Sequence, residues 1–277
     1  MINIISLSNN LNIGGDDILL MAGPCSVESY EQTYAVAKSM HALGLRVLRG
    51  GAFKPRTSPT AFQGLGLEGL KILRQIADEF GMLVISEALG VEQLPMVAEY
   101  SDIIQIGSRN MQHFPLLWAA GEQPKPILLK RGFMSTISEW LGAAEHISSR
   151  GNQKIILCER GIRSFDSSTR NVLDVSAIAQ IKISTQFPII ADPSHATGRA
   201  DLVPAAARAA IAAGADGLIV EVHPNPKEAL SDGDQSLPLE SLPAFVEDVR
   251  RIASAMGRTL DSKRSASRLS SQKSGDF

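Results

Sequence analysis

The sequence predicts an α/β fold in which eight parallel strands alternate with helices and close into a barrel. Eight short apolar runs recur at intervals of roughly twenty to forty residues, and segments with helical spacing lie between them. The runs are apolar on both faces, which is typical of parallel strands that are buried on both sides. An open, doubly wound sheet shows the same alternation, but the count of eight favours a (β/α)₈ barrel.

The predicted strands and helices follow the chain in regular order. The strands are 18–22, 46–50, 82–86, 102–107, 126–130, 154–158, 188–192 and 217–222. The clearest helices are 28–43, 69–80, 138–149, 171–183 and 202–213. Gly44, Gly81, Gly151 and Gly214 stand where helices should end.

These elements predict one domain over residues 1–257. A chain of 277 residues with 44% apolar side chains can bury one large core. About seventeen residues precede the first strand, so we expect no fused regulatory domain. Residues 258–277 are rich in Ser, Lys and Arg, and we expect a disordered tail there.

Composition excludes several classes of partner. The 27 basic and 29 acidic residues nearly cancel, so no global field favours nucleic acid or a membrane surface. No apolar run is long enough for a membrane span, and the first residues lack the pattern of a signal peptide. We therefore expect a cytoplasmic protein with small-molecule substrates, in which Cys25 and Cys158 remain thiols.

Residue types that bind divalent metal ions follow three of the predicted strands. Cys25 follows the first strand, His195 follows the seventh, and Glu221 and Asp232 lie in and after the eighth. Catalytic groups of such barrels stand at the carboxyl ends of strands, so these four should ring one mouth. Sulfur, nitrogen and oxygen ligands suit a divalent metal without choosing among Mn, Fe, Zn and Co. Any one of them alone could instead pack in the core, cap a turn or be solvated.

A second set of strand ends carries positive charge. Its members are Arg49, Lys54, Arg56, Arg109, Lys130 and Arg160. Six cations at one mouth are costly unless anions neutralise them, and a phosphate with a carboxylate would do so. Single members could instead pair with Glu87, Glu159 or Asp192, and Lys130 could form a Schiff base as in a metal-independent aldolase.

Long motifs in all eight units resemble one enzyme family. They are AGPCSVES, LRGGAFKPRTSP, FQGLGLEGL, IGSRN, LLKRG, CERGIR, DPSHATG, LIVEVHP and LSDGDQSL. From about Leu19 to Val249 the chain resembles the type I 3-deoxy-7-phosphoheptulonate (DAHP) synthases, in the branch related to 3-deoxyoctulosonate 8-phosphate synthase.

The resemblance implies a TIM barrel, a divalent metal and specific site residues. The implied metal ligands are Cys25, His195, Glu221 and Asp232, and the implied phosphoenolpyruvate contacts are Arg49, Lys54, Arg109, Lys130 and Arg160. The aldose-binding KPRT stretch matches Lys54, Pro55, Arg56 and Thr57, where the octulosonate synthases resemble KANRS. We expect Lys54, Lys130 and His195 to be catalytic, without a ranking of His195 and Lys130 as proton donors.

The implied reaction joins phosphoenolpyruvate to erythrose 4-phosphate, the first step of the shikimate pathway to aromatic compounds. Related barrels assemble as dimers or tetramers, so we expect a homo-oligomer. The nearest rival is the same condensation on another phosphorylated aldose, such as arabinose 5-phosphate or a specialised tetrose. A rival of another class is a noncatalytic regulatory relative that keeps the barrel.

Overall fold

A computed structural model describes residues 2–8, 10–55 and 58–261 and confirms the predicted barrel. The strands are β1 Ile5–Ser8, β2 Leu11–Ile13, β3 Asp17–Gly23, β4 Val47–Arg49, β5 Leu83–Ala88, β6 Ile103–Ile106, β7 Ile127–Lys130, β8 Ile155–Glu159, β9 Ile189–Ala191, β10 Gly217–His223, β11 Leu237–Pro238 and β12 Thr259–Leu260. The α-helices are α1 Tyr30–Ala42, α2 Leu67–Phe80, α3 Leu94–Tyr100, α4 Phe114–Gly121, α5 Ile137–Ser148, α6 Val175–Ser184, α7 Pro193–Thr197, α8 Val203–Ala212 and α9 Leu242–Ala255.

Strands β3 to β10 form the closed barrel. Each pairs in parallel with the next along the chain, and β10 then pairs with β3. Gly217 lies opposite Leu19 in that last pairing, and Glu221 lies opposite Gly23. This closure rules out the open doubly wound sheet and brings the carboxyl ends of all eight strands to one mouth.

Alternating side chains separate two cores. Ile18 and Leu20 point out and pack under the helices, while Leu19 and Met21 fill the barrel interior. The interior cluster also contains three residues of the β1–β2 hairpin: Ile5, Leu11 and Ile13. The hairpin therefore packs into the barrel core, although the sequence pattern predicted no structure before the first barrel strand.

The predicted tail begins too early. Thr259 and Leu260 form β12, which pairs in parallel with β3, and Leu260 is 8% exposed. Arg258 donates hydrogen bonds to the backbone oxygens of Gly15 and Ala215. Disorder from residue 258 is therefore wrong for 258–261, because strand pairing and arginine contacts hold a segment that is poor in apolar residues. Residues 262–277 lie outside the described residues.

Helix ends follow local hydrogen-bonding chemistry. Thr136 accepts a hydrogen bond from the Glu139 backbone, and the Glu139 carboxylate accepts one from the Thr136 backbone, so a capping box begins α5. Gly81 ends α2 with a φ of 61°, a left-handed conformation that suits glycine. Within the described residues, no helix combines the length and the apolar character that crossing a bilayer requires.

Candidate active site

Four candidate metal ligands converge at the carboxyl end of the barrel. Cys25 follows β3, His195 lies in α7 after β9, Glu221 lies in β10, and Asp232 lies in the loop after β10. One ligand atom from each residue lies within 4.8 Å of the ligand atoms of the other three. Asp232 has a φ of 51°, and it is the one non-glycine residue with a positive φ in the described part of the chain. Such backbone strain concentrates at functional positions.

Local capping orients the His195 ring. Asp192 is the N-cap of α7, and its Oδ1 accepts a hydrogen bond of 2.9 Å from the His195 backbone nitrogen. Its Oδ2 lies 2.7 Å from His195 Nδ1, so Nδ1 donates and Nε2 faces Glu221 Oε1 at 3.4 Å. A carboxylate behind an imidazole in this way is the usual support of a metal-ligating histidine.

Cationic and amide groups surround the two carboxylates. Glu221 Oε1 accepts a hydrogen bond of 2.8 Å from Arg49, and its Oε2 accepts one of 2.6 Å from Gln235. Asp232 Oδ1 accepts a bond of 3.0 Å from Arg170. Each carboxylate is therefore held by groups outside the ligand cluster.

The Cys25 sulfur lies between a cation and a carboxylate. Lys54 Nζ lies 2.9 Å from Cys25 Sγ, and Cys25 Sγ lies 3.2 Å from Asp232 Oδ2. Cys25 is 2% exposed, so water does not share this contact freely. The thiol is thus placed where a cation stabilises its ionised form.

The electrostatics of the cluster fit a divalent cation. Burial and the Glu221 charge raise the pKa of the Cys25 thiol to about 12. Burial opposes ionisation of Glu221 and Asp232, but the combined influence of His195 with Arg49 and Lys54 for Glu221, and with Arg170 for Asp232, outweighs it and lowers the pKa of both carboxyls. Two ionised carboxylates and an imidazole are therefore in place as ligands. A bound cation would supply the positive charge that stabilises the Cys25 thiolate. The donor set suits a transition-metal ion better than a purely oxygen-seeking one.

A cavity of about 500 Å³ opens beside this cluster. Its lining residues are Lys54, Pro55, Glu87, Arg109, Phe133, Arg160, Arg163, Arg170, Asn171, His195 and Asp232. Basic side chains dominate this lining, so the cavity is suited to an anionic ligand.

Three guanidinium groups surround a single aromatic ring in the cavity wall. The Cζ atoms of Arg160, Arg163 and Arg109 lie 4.8, 5.2 and 5.4 Å from the centroid of Phe133. Arg160 is 4% exposed, and burial lowers the pKa of its guanidinium. None of the three forms a salt bridge within the ranges that the structure describes. Three like charges thus gather around one ring without a salt bridge of their own, as in a site that receives an anion.

Arg49 and Lys130 are buried and are not among the residues that line the cavity. Each is at most 5% exposed and is paired with a buried carboxylate, Arg49 with Glu221 at 2.8 Å and Lys130 with Asp192 at 2.5 Å. Burial alone would lower the pKa of Lys130, but the Asp192 charge outweighs it and raises that pKa. A Schiff-base lysine needs a neutral amine, so this environment opposes the metal-independent aldolase.

The remaining predicted residues divide into two groups. Lys54, Pro55, Arg109 and Arg160 line the cavity, together with the candidate ligands His195 and Asp232. Arg56 and Thr57 lie outside the described residues. Sequence reasoning did not select six further residues as part of the site: Glu87, Phe133, Arg163, Arg170, Asn171 and Gln235. Position within the CERGIR and LSDGDQSL motifs signalled Arg163 and Gln235, whereas nothing in the pattern distinguished Phe133 from an ordinary loop residue.

Fold and site together define a class of protein: a (β/α)₈ barrel with a sulfur, nitrogen and oxygen ligand set beside a cation-lined cavity. Residues 3–256 match the family model described as the DAHP synthetase I family. The chain belongs to that family.

The chain is similar to two kinds of protein, and it is more similar to the first kind than to the second. It is 56% identical over 248 residues to phospho-2-dehydro-3-deoxyheptonate aldolase from Thermotoga maritima, a match that covers 90% of this chain and 73% of that protein. It is 34% identical over 257 residues to 2-dehydro-3-deoxyphosphooctonate aldolase from Syntrophotalea carbinolica, covering 86% and 92% of the two chains.

Solved structures agree with the sequence comparisons. The crystal structure of phospho-2-dehydro-3-deoxyheptonate aldolase (DAHP synthase) from Thermotoga maritima superposes with a TM-score of 0.91 at 53% identity, covering 94% of this chain and 75% of that one. A truncated form of 3-deoxy-D-arabino-heptulosonate 7-phosphate synthase from the same organism gives a TM-score of 0.88 at 51% identity, with 94% and 95% covered. Both confirm the predicted barrel.

Proposed function

We propose that the protein condenses phosphoenolpyruvate with erythrose 4-phosphate to give 3-deoxy-D-arabino-heptulosonate 7-phosphate and phosphate, the first step of the shikimate pathway. The observation that carries the proposal is the group of three arginines around Phe133, which form no salt bridge among the described residues, beside four candidate metal-ligand side chains. An anionic substrate and a divalent ion would complete both halves of this site. Family membership supports the same reaction.

Phosphoenolpyruvate fits the cation-lined cavity. Its phosphate can take forked hydrogen bonds from Arg109 and Arg160, and Lys54 can approach as a point charge. Arg49 and Lys130 are proposed as further phosphoenolpyruvate contacts, and both are held in buried ion pairs, with Glu221 and Asp192. On binding, the substrate exchanges its contacts with water for hydrogen-bond donors that the protein holds in fixed positions. This exchange orients the substrate before the reaction.

The aldose is proposed to bind at the loop after β4. Pro55 lines the cavity next to Lys54, so the KPRT stretch begins at the cavity edge. Arg56 and Thr57 continue it, and we propose that they bind the phosphate of erythrose 4-phosphate.

Cys25, His195, Glu221 and Asp232 would hold a divalent metal ion, whose identity among Mn, Fe, Zn and Co is open. When bound, such an ion supplies Lewis acidity toward an aldehyde oxygen. Lys54 lies beside the same cluster, 2.9 Å from Cys25 Sγ, so it can stabilise negative charge that develops there.

The chemistry joins C3 of phosphoenolpyruvate to the aldehyde carbon, whose oxygen becomes a hydroxyl on gaining a proton. Water then adds at C2, and phosphate leaves with cleavage of the carbon–oxygen bond. Lys130 and His195 are the two proposed proton-exchange groups. Lys130 Nζ donates to Asp192, and the Nδ1 proton of His195 is directed to the same carboxylate, so His195 could exchange a proton with a substrate only through Nε2, while no metal ion is bound there.

We propose a cytoplasmic homo-oligomer, a dimer or tetramer, without nucleic-acid or membrane partners. Both substrates are charged metabolites that do not cross bilayers unaided. The helix α4 exposes Phe114 and Trp118, at 40% and 38%, and Met134 in another loop is 75% exposed. Exposed aromatic and methionine side chains are enriched in interfaces between subunits.

The deciding experiment follows loss of phosphoenolpyruvate absorbance by Mn²⁺-loaded protein. Erythrose 4-phosphate and arabinose 5-phosphate are offered separately, each with and without a chelator. Chelator-sensitive turnover with the tetrose alone supports the proposal. Turnover with the pentose would move the assignment to the octulosonate reaction, and silence with both would favour a noncatalytic relative. Borohydride trapping at Lys130 with chelator-resistant turnover would favour the Schiff-base aldolase.

A further inference from the structure

We infer that Arg170 is a positioning residue that holds both carboxylates of the ligand cluster. The inference rests on the metal site proposed above. Arg170 lies between β8 and α6, and its side chain is 46% exposed. Its two terminal nitrogens have different partners: one donates to Asp232 Oδ1 at 3.0 Å, and the other donates to Gln235 Oε1 at 2.7 Å.

Gln235 carries the second contact to Glu221. A guanidinium has only donors, so the amide oxygen of Gln235 must face Arg170 and its amide nitrogen must face away. That nitrogen donates a hydrogen bond of 2.6 Å to Glu221 Oε2. Gln235 is 1% exposed, so water does not replace these contacts. One guanidinium thus reaches one carboxylate directly and the other through a buried amide.

The backbone of Arg170 is fixed against the helix that carries His195. Its nitrogen donates a hydrogen bond of 3.0 Å to the Thr197 oxygen, and the next residue, Asn171, donates one of 2.9 Å to the Ala196 oxygen. A Cβ on Gly198 would lie 2.7 Å from the Arg170 Cβ, so the two backbones approach closely. The exposed arginine is therefore anchored at a defined place between the loops after β8, β9 and β10.

Asp232 is the ligand that most needs this support. Its residue has a positive φ, lies in a loop and keeps a 19% exposed side chain. In the described part of the chain, Arg170 is its one salt-bridge partner, and its other carboxylate oxygen faces Cys25. Without Arg170 the carboxylate would rotate freely toward solvent, and Gln235 would lose the acceptor orientation that aims its amide at Glu221.

The test measures metal affinity without turnover. Mn²⁺ binding is followed by the electron paramagnetic resonance signal of the free ion, and Co²⁺ binding by its absorption spectrum. Arg170→Met and Gln235→Met should each weaken Mn²⁺ binding by roughly 10- to 100-fold and alter the Co²⁺ spectrum. The double variant should be little weaker than the worse single variant, because both changes cut one network.

Two further variants separate positioning from general damage. Arg170→Lys should recover part of the affinity, since one ammonium can reach Asp232 but cannot bridge to Gln235 as well. Arg208→Met, which removes an ion pair between Arg208 on α8 and Asp248 on α9, should leave metal binding unchanged. Thermal unfolding of the metal-free proteins identifies any variant that fails to fold.

The outcomes distinguish this inference from the proposal beneath it. If the unmodified protein binds no Mn²⁺, the proposed metal site is wrong and the inference falls with it. If the unmodified protein binds Mn²⁺ and Arg170→Met binds it within threefold as tightly, the inference alone is overturned. Strictly additive losses in the double variant would also contradict a shared network.

Discussion

Arg160→Met removes one guanidinium from the cavity wall and leaves an apolar side chain to pack on Phe133. Arg160 is 4% exposed and forms no salt bridge with any described residue. Its guanidinium can therefore form an ion pair with an anionic ligand in the cavity. Truncating one partner of a buried, hydrogen-bonded charge pair costs about 2–5 kcal/mol of binding energy. At about 1.4 kcal/mol per tenfold, phosphoenolpyruvate affinity should fall by roughly 30-fold to several thousand-fold.

The same substitution should hardly change the stability of the ligand-free protein. The Cζ atoms of Arg109 and Arg163 lie within 5.4 Å of the ring that Arg160 also contacts. Both therefore repel Arg160 across the ring. Relief of that repulsion offsets a lost cation–π contact of about 1–2 kcal/mol. The unfolding temperature should stay within about 4 °C.

Calorimetric titration and thermal unfolding with phosphoenolpyruvate measure both effects. Ligand at 100 times its Kd stabilises the unmodified protein by about 2.7 kcal/mol, and a 100-fold weaker variant gains only about 0.4 kcal/mol at that concentration. Arg150→Met is the matched control, because Arg150 lies 5.2 Å over the Trp118 ring on the outside of the barrel. A change in phosphoenolpyruvate affinity below threefold in Arg160→Met would refute the reasoning.

Further predictions test separate features of the protein. Gly107→Ala would place a Cβ 1.9 Å from a Glu87 carboxylate oxygen, so the Glu87 side chain must move within the cavity; kcat/KM should fall, and the unfolding temperature should change little because the end of a flexible side chain can shift. Gly142→Ala in α5 meets nothing within 4 Å and should stabilise the protein by up to about 1 kcal/mol in urea unfolding. Because burial raises the pKa of Cys25 to about 12, metal binding at neutral pH should release close to one proton, measured by calorimetry in buffers of different ionisation enthalpy; no release would contradict thiolate ligation. Burial opposes ionisation of Asp192, but neighbouring positive charges lower its pKa below 3.8, so its contribution to stability is complete above about pH 4 and is lost as pH falls. Urea unfolding of metal-free Asp192→Asn should therefore depend less on pH below about 4 than unfolding of the unmodified protein does, and equal dependence would contradict this assignment.

The sequence predicted the ligand cluster because barrel topology turns position in the chain into position in space. Cys25 and Asp232 are 207 residues apart, yet both follow strands that end at the same mouth. Strand ends are readable from apolar runs, so residues directly after them could be placed without coordinates. Lys54 and Arg160 were found in the same way.

Loop residues could not be placed so simply. Phe133, Arg163 and Arg170 stand in connections whose course depends on tertiary contacts, such as the hydrogen bond from Arg170 to Thr197. The sequence pattern also did not separate exposed from buried cations. Arg49 and Lys130 end their strands as predicted, but each forms a buried ion pair. Strand β12 was missed because a two-residue strand carries no periodicity.

Anomalous X-ray diffraction from crystals soaked with Mn²⁺ and phosphoenolpyruvate tests the central claim directly. We predict one strong manganese peak within ligand distance of Cys25 Sγ, His195 Nε2 and oxygens of Glu221 and Asp232, with the phosphoenolpyruvate phosphate against Arg160 in the adjoining cavity. A manganese peak elsewhere, with these four side chains left in contact only with one another, would contradict the account.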